Sequence, residues 1–180
     1  DQKHVASDIE PDQILLTEEQ ILERLRELAT QIETDYEGKD ILLVGVLKGA
    51  VMVMADLARS LNRHVEMDWM AISSYGSGTK SSGVVRILKD LDTDINGRHV
   101  LVVEDIIDTG LMLSWLVSNL ESRGPASVEI CTLLRKPEAL QMNVDVRYVG
   151  FDIPSRFVVG YGLDYAQRYR NLRSVSVLAP

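Results

Sequence analysis

Ile41 to Val46 is a short, continuous apolar run, and a similar pattern returns at His99 to Val103. Runs of that length without alternation belong to strands covered on both faces. Further strand-like runs occur at Val65 to Ser73, Val84 to Leu91, Val128 to Leu134, Val144 to Val149 and Val175 to Leu178. Helical spacing lies between them. Thr17 with Gln20 makes a capping box ahead of Ile21, Leu22, Leu25, Leu28 and Ile32, and Glu37-Gly38-Lys39 closes that helix. Ala50 to Leu61 and Leu111 to Arg123 read as helices, the second stopped by Gly124-Pro125, and Asn96-Gly97 as a turn. Doubly buried strands alternating with helices predict an α/β fold, a parallel sheet with helices on both faces. Such sheets bind their ligands where the strands end at their carboxyl edges.

With 180 residues the chain has the length of one domain. Residues 1–13 carry little periodicity and read as a loose leader without signal-peptide pattern. Residues 74–83, rich in Ser and Gly, read as a flexible lid or an exposed hairpin tip. The longest apolar stretches end after about seven residues, as in Ile41 to Leu47, too short to span a bilayer. The single cysteine, Cys131, excludes an internal disulfide framework and suits a reducing, cytoplasmic compartment. It falls in a strand pattern and reads as inert core. A net charge of −8 argues against broad nucleic-acid or membrane-surface binding, but not against one small anion held by local donors.

The chemistry concentrates in Val102-Val103-Glu104-Asp105-Ile106-Ile107-Asp108-Thr109-Gly110, an apolar strand whose end presents three carboxylates before a helix opens. The amides of residues 109–113 at that helix start make an anion cradle, and Gly110 lets backbone approach a bulky anion. Neighbouring carboxylates accept hydrogen bonds from vicinal sugar hydroxyls and attract Mg²⁺, which reconciles acids with an anion site. Acidic residues also simply cap and solvate helix starts, and spacing alone leaves both readings open. The Walker and dinucleotide glycine patterns are absent, so the cradle is of another kind. His4, His64 and His99 lack metal-ligand spacing. Trp69 and Trp115 read as core or interface.

Residues 103–110 resemble the phosphoribosyl-pyrophosphate (PRPP) signature of type I phosphoribosyltransferases, and more narrowly the hypoxanthine-guanine phosphoribosyltransferases of bacterial type. Leu47-Lys48-Gly49 is similar to that family's pyrophosphate loop, and Ser74-Tyr75 to the start of its lid. Leu134-Arg135-Lys136, the block 149–154 and the block 157–165 ending in Tyr169-Arg170-Asn171-Leu172 match as well. Matching blocks span residues 41–178 in order.

The resemblance implies the type I phosphoribosyltransferase fold, with a small hood near the termini drawn largely from residues 136–180. It implies transfer of ribose 5-phosphate from PRPP to N9 of hypoxanthine or guanine, releasing pyrophosphate. Glu104 and Asp105 would hold the ribose hydroxyls and help seat Mg²⁺, and Asp164 would ligate a second Mg²⁺. Asp108 would be the general base at purine N7. Thr109, Gly110, Leu111, Met112 and Leu113 would cradle the 5-phosphate. Lys48, Gly49 and Arg170 would receive pyrophosphate, with a cis peptide before Lys48. Lys136 would donate to the purine's O6, selecting 6-oxo over 6-amino bases. Phe157 would stack on the base, Val158 would offer backbone groups to its edge, and Ser74 and Tyr75 would close over the site.

One departure stands out: Met112 occupies a position where the family usually has threonine, which removes a hydroxyl contact to phosphate. Two alternatives share the fold: a xanthine-preferring enzyme, and a non-catalytic RNA-binding regulator, which the acidic balance disfavours. A phospho-acceptor receiver domain would leave residues 134–172 unexplained. The family commonly forms dimers or tetramers, so a homo-oligomer is expected.

Overall fold

The computed structural model describes residues 13–74 and 85–179. Tyr75 and nearly all of the expected lid and leader fall outside them. Six strands form the main sheet: β2 (Ile41–Val46), β3 (Glu66–Ser74), β4 (Val85–Lys89), β5 (His99–Ile107), β6 (Ser127–Arg135) and β7 (Tyr148–Asp152), in the order β4-β3-β2-β5-β6-β7. The pairs β2–β3, β2–β5, β5–β6 and β6–β7 are parallel, as the doubly apolar runs predict. The edge pair β3–β4 is antiparallel, which the expectation of a parallel sheet did not include. Its strand alternates half-buried and exposed residues, the pattern of a one-sided edge strand.

Helices α1 (Glu18–Asp35) and α2 (Val51–Ser60) cover one face and α3 (Leu111–Glu121) the other. The capping box at the start of α1 is formed in full: Thr17 Oγ1 accepts from Gln20 N, and the Gln20 side chain accepts from Thr17 N at 2.9 Å. Ile21, Leu25, Leu28 and Ile32 are all completely buried. Arg24 reaches from α1 to donate to the carbonyls of Val149 and Gly150, each at 2.9 Å. Those bonds satisfy acceptors of the edge strand β7 that would otherwise invite another chain.

The last strand of the sheet begins later than the apolar pattern suggests. Val144 and Val146 do not pair; they pack against the α3 side of the core, and pairing starts at Tyr148 opposite Cys131. A second sheet, β1 (Gln13–Leu16), β9 (Val175–Val177) and β8 (Val158–Val159), joins both ends of the described chain in antiparallel order β1-β9-β8. The hood thus takes a strand from the N-terminal side, where no element was predicted. The region 136–180 divides between hood and main sheet, because β7 belongs to the latter. A six-stranded, mostly parallel sheet between helices, with a small separate sheet near the chain ends, is the arrangement that the resemblance implies.

Cys131 is fully buried and burial pushes its thiol up to about 12, so it is inert. His99 Nδ1 bonds Ser127 Oγ at 2.7 Å and its ring meets Tyr36 edge-on, a structural role.

Asp68, 4% exposed in β3, holds a loop in place. Its carboxylate accepts from the amides of Trp69 (2.8 Å), Asp92 (3.0 Å) and Thr93 (2.9 Å). Desolvation pushes this carboxyl up, but the three donors outweigh it and hold it below the usual range. A lowered folded-state value means stability that is present above the unfolded value, near pH 4, and lost as pH falls through the folded one. Asp68→Ala is therefore expected to cost about 1–3 kcal/mol at neutral pH, since it removes the acceptor of three partly buried hydrogen bonds. Thermal midpoints measured across pH check this: the gap between variant and parent should narrow in acid, and a pH-independent gap contradicts it.

Candidate active site

The polar residues singled out above collect at the carboxyl ends of β2, β5 and β6. Strand β5 carries Glu104 and Asp105, then yields to Asp108-Thr109-Gly110 and the start of α3. Gly110 precedes α3 in the left-handed region, at φ +83°, a conformation that a side chain would strain. The turn below it is held from outside: Thr109 O accepts from Gln141 N (2.9 Å) and Met142 N (3.3 Å). Thr109 Oγ1 accepts from Leu111 N at 3.3 Å.

At one end of this edge lie Asp108 and Lys136. Lys136, at the end of β6, is 9% exposed, and its Nζ stands 3.5 Å from Asp108 Oδ2. Its amide donates to Ile107 O at 2.9 Å. A buried ammonium needs a partner, and Asp108 supplies it. Segment 136–142, including a 3-10 turn at Pro137–Ala139, thus bonds the chain on both sides of Asp108. Phe157 is 43% exposed, too open for a core side chain. Its ring meets that of Tyr165 edge-to-face, with centroids 5.8 Å apart. Val158 is buried in β8, paired with Val177.

At the other end the Leu47–Lys48 peptide is cis, as the resemblance implies. A Cβ on Gly49 would collide with the Asp105 carboxylate, and one on Gly162 with Gly49 O. The loop after β2 is therefore sandwiched between β5 and the turn 160–163. Arg170 donates to Gly162 O at 2.6 Å and stands 3.4 Å from Asp164 Oδ1. Asp164 Oδ2 accepts from Gln167 N at 2.9 Å. Lys48 Nζ and Arg170 Nη2 both donate to Gln167 Oε1, at 3.3 and 3.2 Å.

Glu104 and Asp105 are side by side and desolvated. Burial, then the neighbouring Asp105 charge, holds the Glu104 carboxyl well above the usual range. Burial also raises Asp105, against the Ile106 amide that it accepts at 2.7 Å. A hard divalent cation suits such a pair, because two close carboxylates bind oxygen-seeking ions and are relieved by the charge. Among the described residues no three His, Cys, Asp or Glu side chains gather into a complete metal cage.

The domain model described as "Phosphoribosyl transferase domain" matches residues 13–166. The chain belongs to this family. As a phosphoribosyl transferase domain it is 58% identical over 173 residues to the hypoxanthine-guanine phosphoribosyltransferase of Mycobacterium tuberculosis, covering 93% of this chain and 86% of the relative. It is 49% identical over 169 residues to the enzyme of that name from Bacillus subtilis, covering 94% of each. Among solved structures, a hypoxanthine-guanine phosphoribosyltransferase from Bacillus anthracis superposes with a TM-score of 0.91 at 45% identity, over 94% of this chain and all of that one.

Within this phosphoribosyl transferase domain the structure joins Asp108 to Lys136 and Lys48 to Arg170, sets Asp164 beside Arg170, and places Ser74 at the end of β3. Sequence reasoning passed over Gln167, Tyr165 and the Gln141–Met142 amides. A lone glutamine in a polar turn has no periodicity to flag it, and backbone donors have no side-chain signature. No helix among the described residues is long and apolar enough to cross a membrane.

Proposed function

We propose that this chain is a hypoxanthine-guanine phosphoribosyltransferase: it moves the 5-phosphoribosyl group of PRPP to N9 of a 6-oxopurine, giving IMP or GMP and pyrophosphate. The observation that carries the reading is the Asp108–Lys136 pair, a carboxylate and a shielded ammonium 3.5 Å apart beside a helix-start anion cradle. Names of relatives at 49–58% identity support it.

Lys136 donates to O6 of the base, and Asp108 takes or returns the proton at N7. Phe157 lies against the ring and Val158 offers main-chain groups at its edge, with Tyr165 bracing Phe157. The amides of residues 109–113 hold the 5-phosphate at the positive end of α3. Glu104 and Asp105 would accept from the ribose hydroxyls and hold Mg²⁺, and Asp164 would serve a second Mg²⁺; when bound, the metal would supply charge neutralisation on the departing pyrophosphate. Lys48, Gly49 and Arg170 receive that anion as the C1–O bond lengthens and positive charge grows on the sugar. Ser74 and Tyr75 begin the segment that excludes water. We assign the protein to the cytoplasm and expect a homodimer or homotetramer, which light scattering on a sizing column reads directly.

The test is a spectrophotometric assay with PRPP and Mg²⁺ against hypoxanthine, guanine, xanthine and adenine. IMP and GMP formation is expected; turnover of adenine but not hypoxanthine overturns the Lys136 role, and xanthine as the sole good substrate overturns the base preference. Met112 adds a second prediction. Met112→Thr restores a hydroxyl to the cradle, and a charge-assisted hydrogen bond of about 1.5–3 kcal/mol should lower the PRPP KM by roughly ten- to a hundredfold. An unchanged or higher KM contradicts it.

A further inference from the structure

Lys48 and Arg170, contributed by distant parts of the chain, converge on one neutral atom, Gln167 Oε1. An amide oxygen has two lone pairs and accommodates both donors. Without it the arrangement is unfavourable: two like charges repel, and a lysine side chain has large rotamer freedom to lose. Arg170 has other anchors in Gly162 O and Asp164 Oδ1, but among the described residues no carboxylate pairs with Lys48. Gln167 is itself fixed. Its amide donates to Asp164 Oδ2, and it sits at φ +66°, a left-handed conformation that non-glycine residues adopt only under local constraint.

We propose that Gln167 is the positioning residue of the pyrophosphate end: its uncharged oxygen gathers Lys48 beside Arg170 and gives both up to the anion that displaces it. The inference rests on the reading of Lys48 and Arg170 as pyrophosphate ligands. Because the acceptor is neutral, it orders the Lys48 ammonium without cancelling its charge. The anion then meets a side chain that is already placed, and less ordering entropy is lost on binding.

Inorganic pyrophosphate with Mg²⁺ is the probe, titrated calorimetrically and used as substrate with IMP in the reverse reaction. Gln167→Met keeps the length of the side chain and removes the acceptor. It should raise the Kd and KM for pyrophosphate by roughly two- to tenfold, the range for ordering one rotamer-rich side chain. The KM for hypoxanthine and the thermal midpoint should hardly move. Gln167→Glu keeps an acceptor but adds a charge that pairs with Lys48 and repels the anion, so it should bind pyrophosphate no better than Gln167→Met. Unaltered pyrophosphate affinity in Gln167→Met overturns the proposal, as does a Gln167→Glu variant that binds pyrophosphate like the parent. A parallel rise in the hypoxanthine KM does so too, since it indicates collapse of the loop. A parent enzyme that neither binds pyrophosphate nor forms IMP overturns the functional reading itself, whereas an active parent with an indifferent Gln167→Met overturns this inference alone.

Discussion

Asp108→Asn is expected to lower kcat for IMP formation by about two to four orders of magnitude, the usual contribution of a positioned general acid–base. The substitution is chosen for what it keeps. Asparagine retains an oxygen within reach of the Lys136 ammonium, so the shielded cation keeps a polar partner. The Asp108 side chain is 55% exposed, and the chain on either side is held by the amides of Lys136, Gln141 and Met142. The fold therefore has no reason to respond. PRPP affinity should stay within about threefold, since loss confined to the chemical step lowers kcat and spares ground-state binding. Steady-state kinetics with fluorescence-monitored PRPP binding separate the two effects. Near-normal turnover removes Asp108 from proton transfer, and loss of PRPP binding would recast it as a binding residue.

Lys136→Met should produce the second large effect, roughly a hundredfold loss in kcat/KM for hypoxanthine, as expected when a charge-assisted hydrogen bond to substrate disappears. Methionine matches the aliphatic stem of lysine and fills the same buried space, so packing around residue 136 is preserved. The informative readout is the ratio between bases. A site with a fixed donor rejects a 6-amino purine because two donors then face each other, and removing the donor removes that penalty. The hypoxanthine-to-adenine preference should thus collapse while the PRPP KM holds. Retained discrimination would place the selecting group elsewhere.

Much of this architecture was legible because its determinants are local. A strand covered on both faces must be apolar throughout, so β2 and much of β5 and β6 stand out in the sequence at close to their observed bounds. The capping box of α1 is set by residues three apart, and it formed as its pattern requires. Glu104, Asp105 and Asp108 follow an unmistakable strand and precede a helix, so their place at the carboxyl edge follows from chain order alone.

The elements that were misjudged depend on partners far away in the chain. Val144 and Val146 alternate as a strand residue would, yet their side chains are taken up by the core below α3, and β7 starts only where β6 offers an open edge at Cys131. Gln13–Leu16 has too little pattern to declare itself and becomes a strand because β9 pairs with it. The antiparallel direction of β4 is likewise a property of its pairing with β3.

The sequence by itself determined the layered α/β plan, the acidic handover from β5 to α3 and the chemical kinds of residue available there. These follow from burial periodicity and from nearest-neighbour backbone chemistry. Tertiary structure alone decided which of those residues meet: Lys136 with Asp108, Gly49 against Asp105, and Lys48 with Arg170 on Gln167. Each of those contacts closes a long loop, and the free energy of closing it resides in the packing of the whole sheet, where no local run of residues can record it.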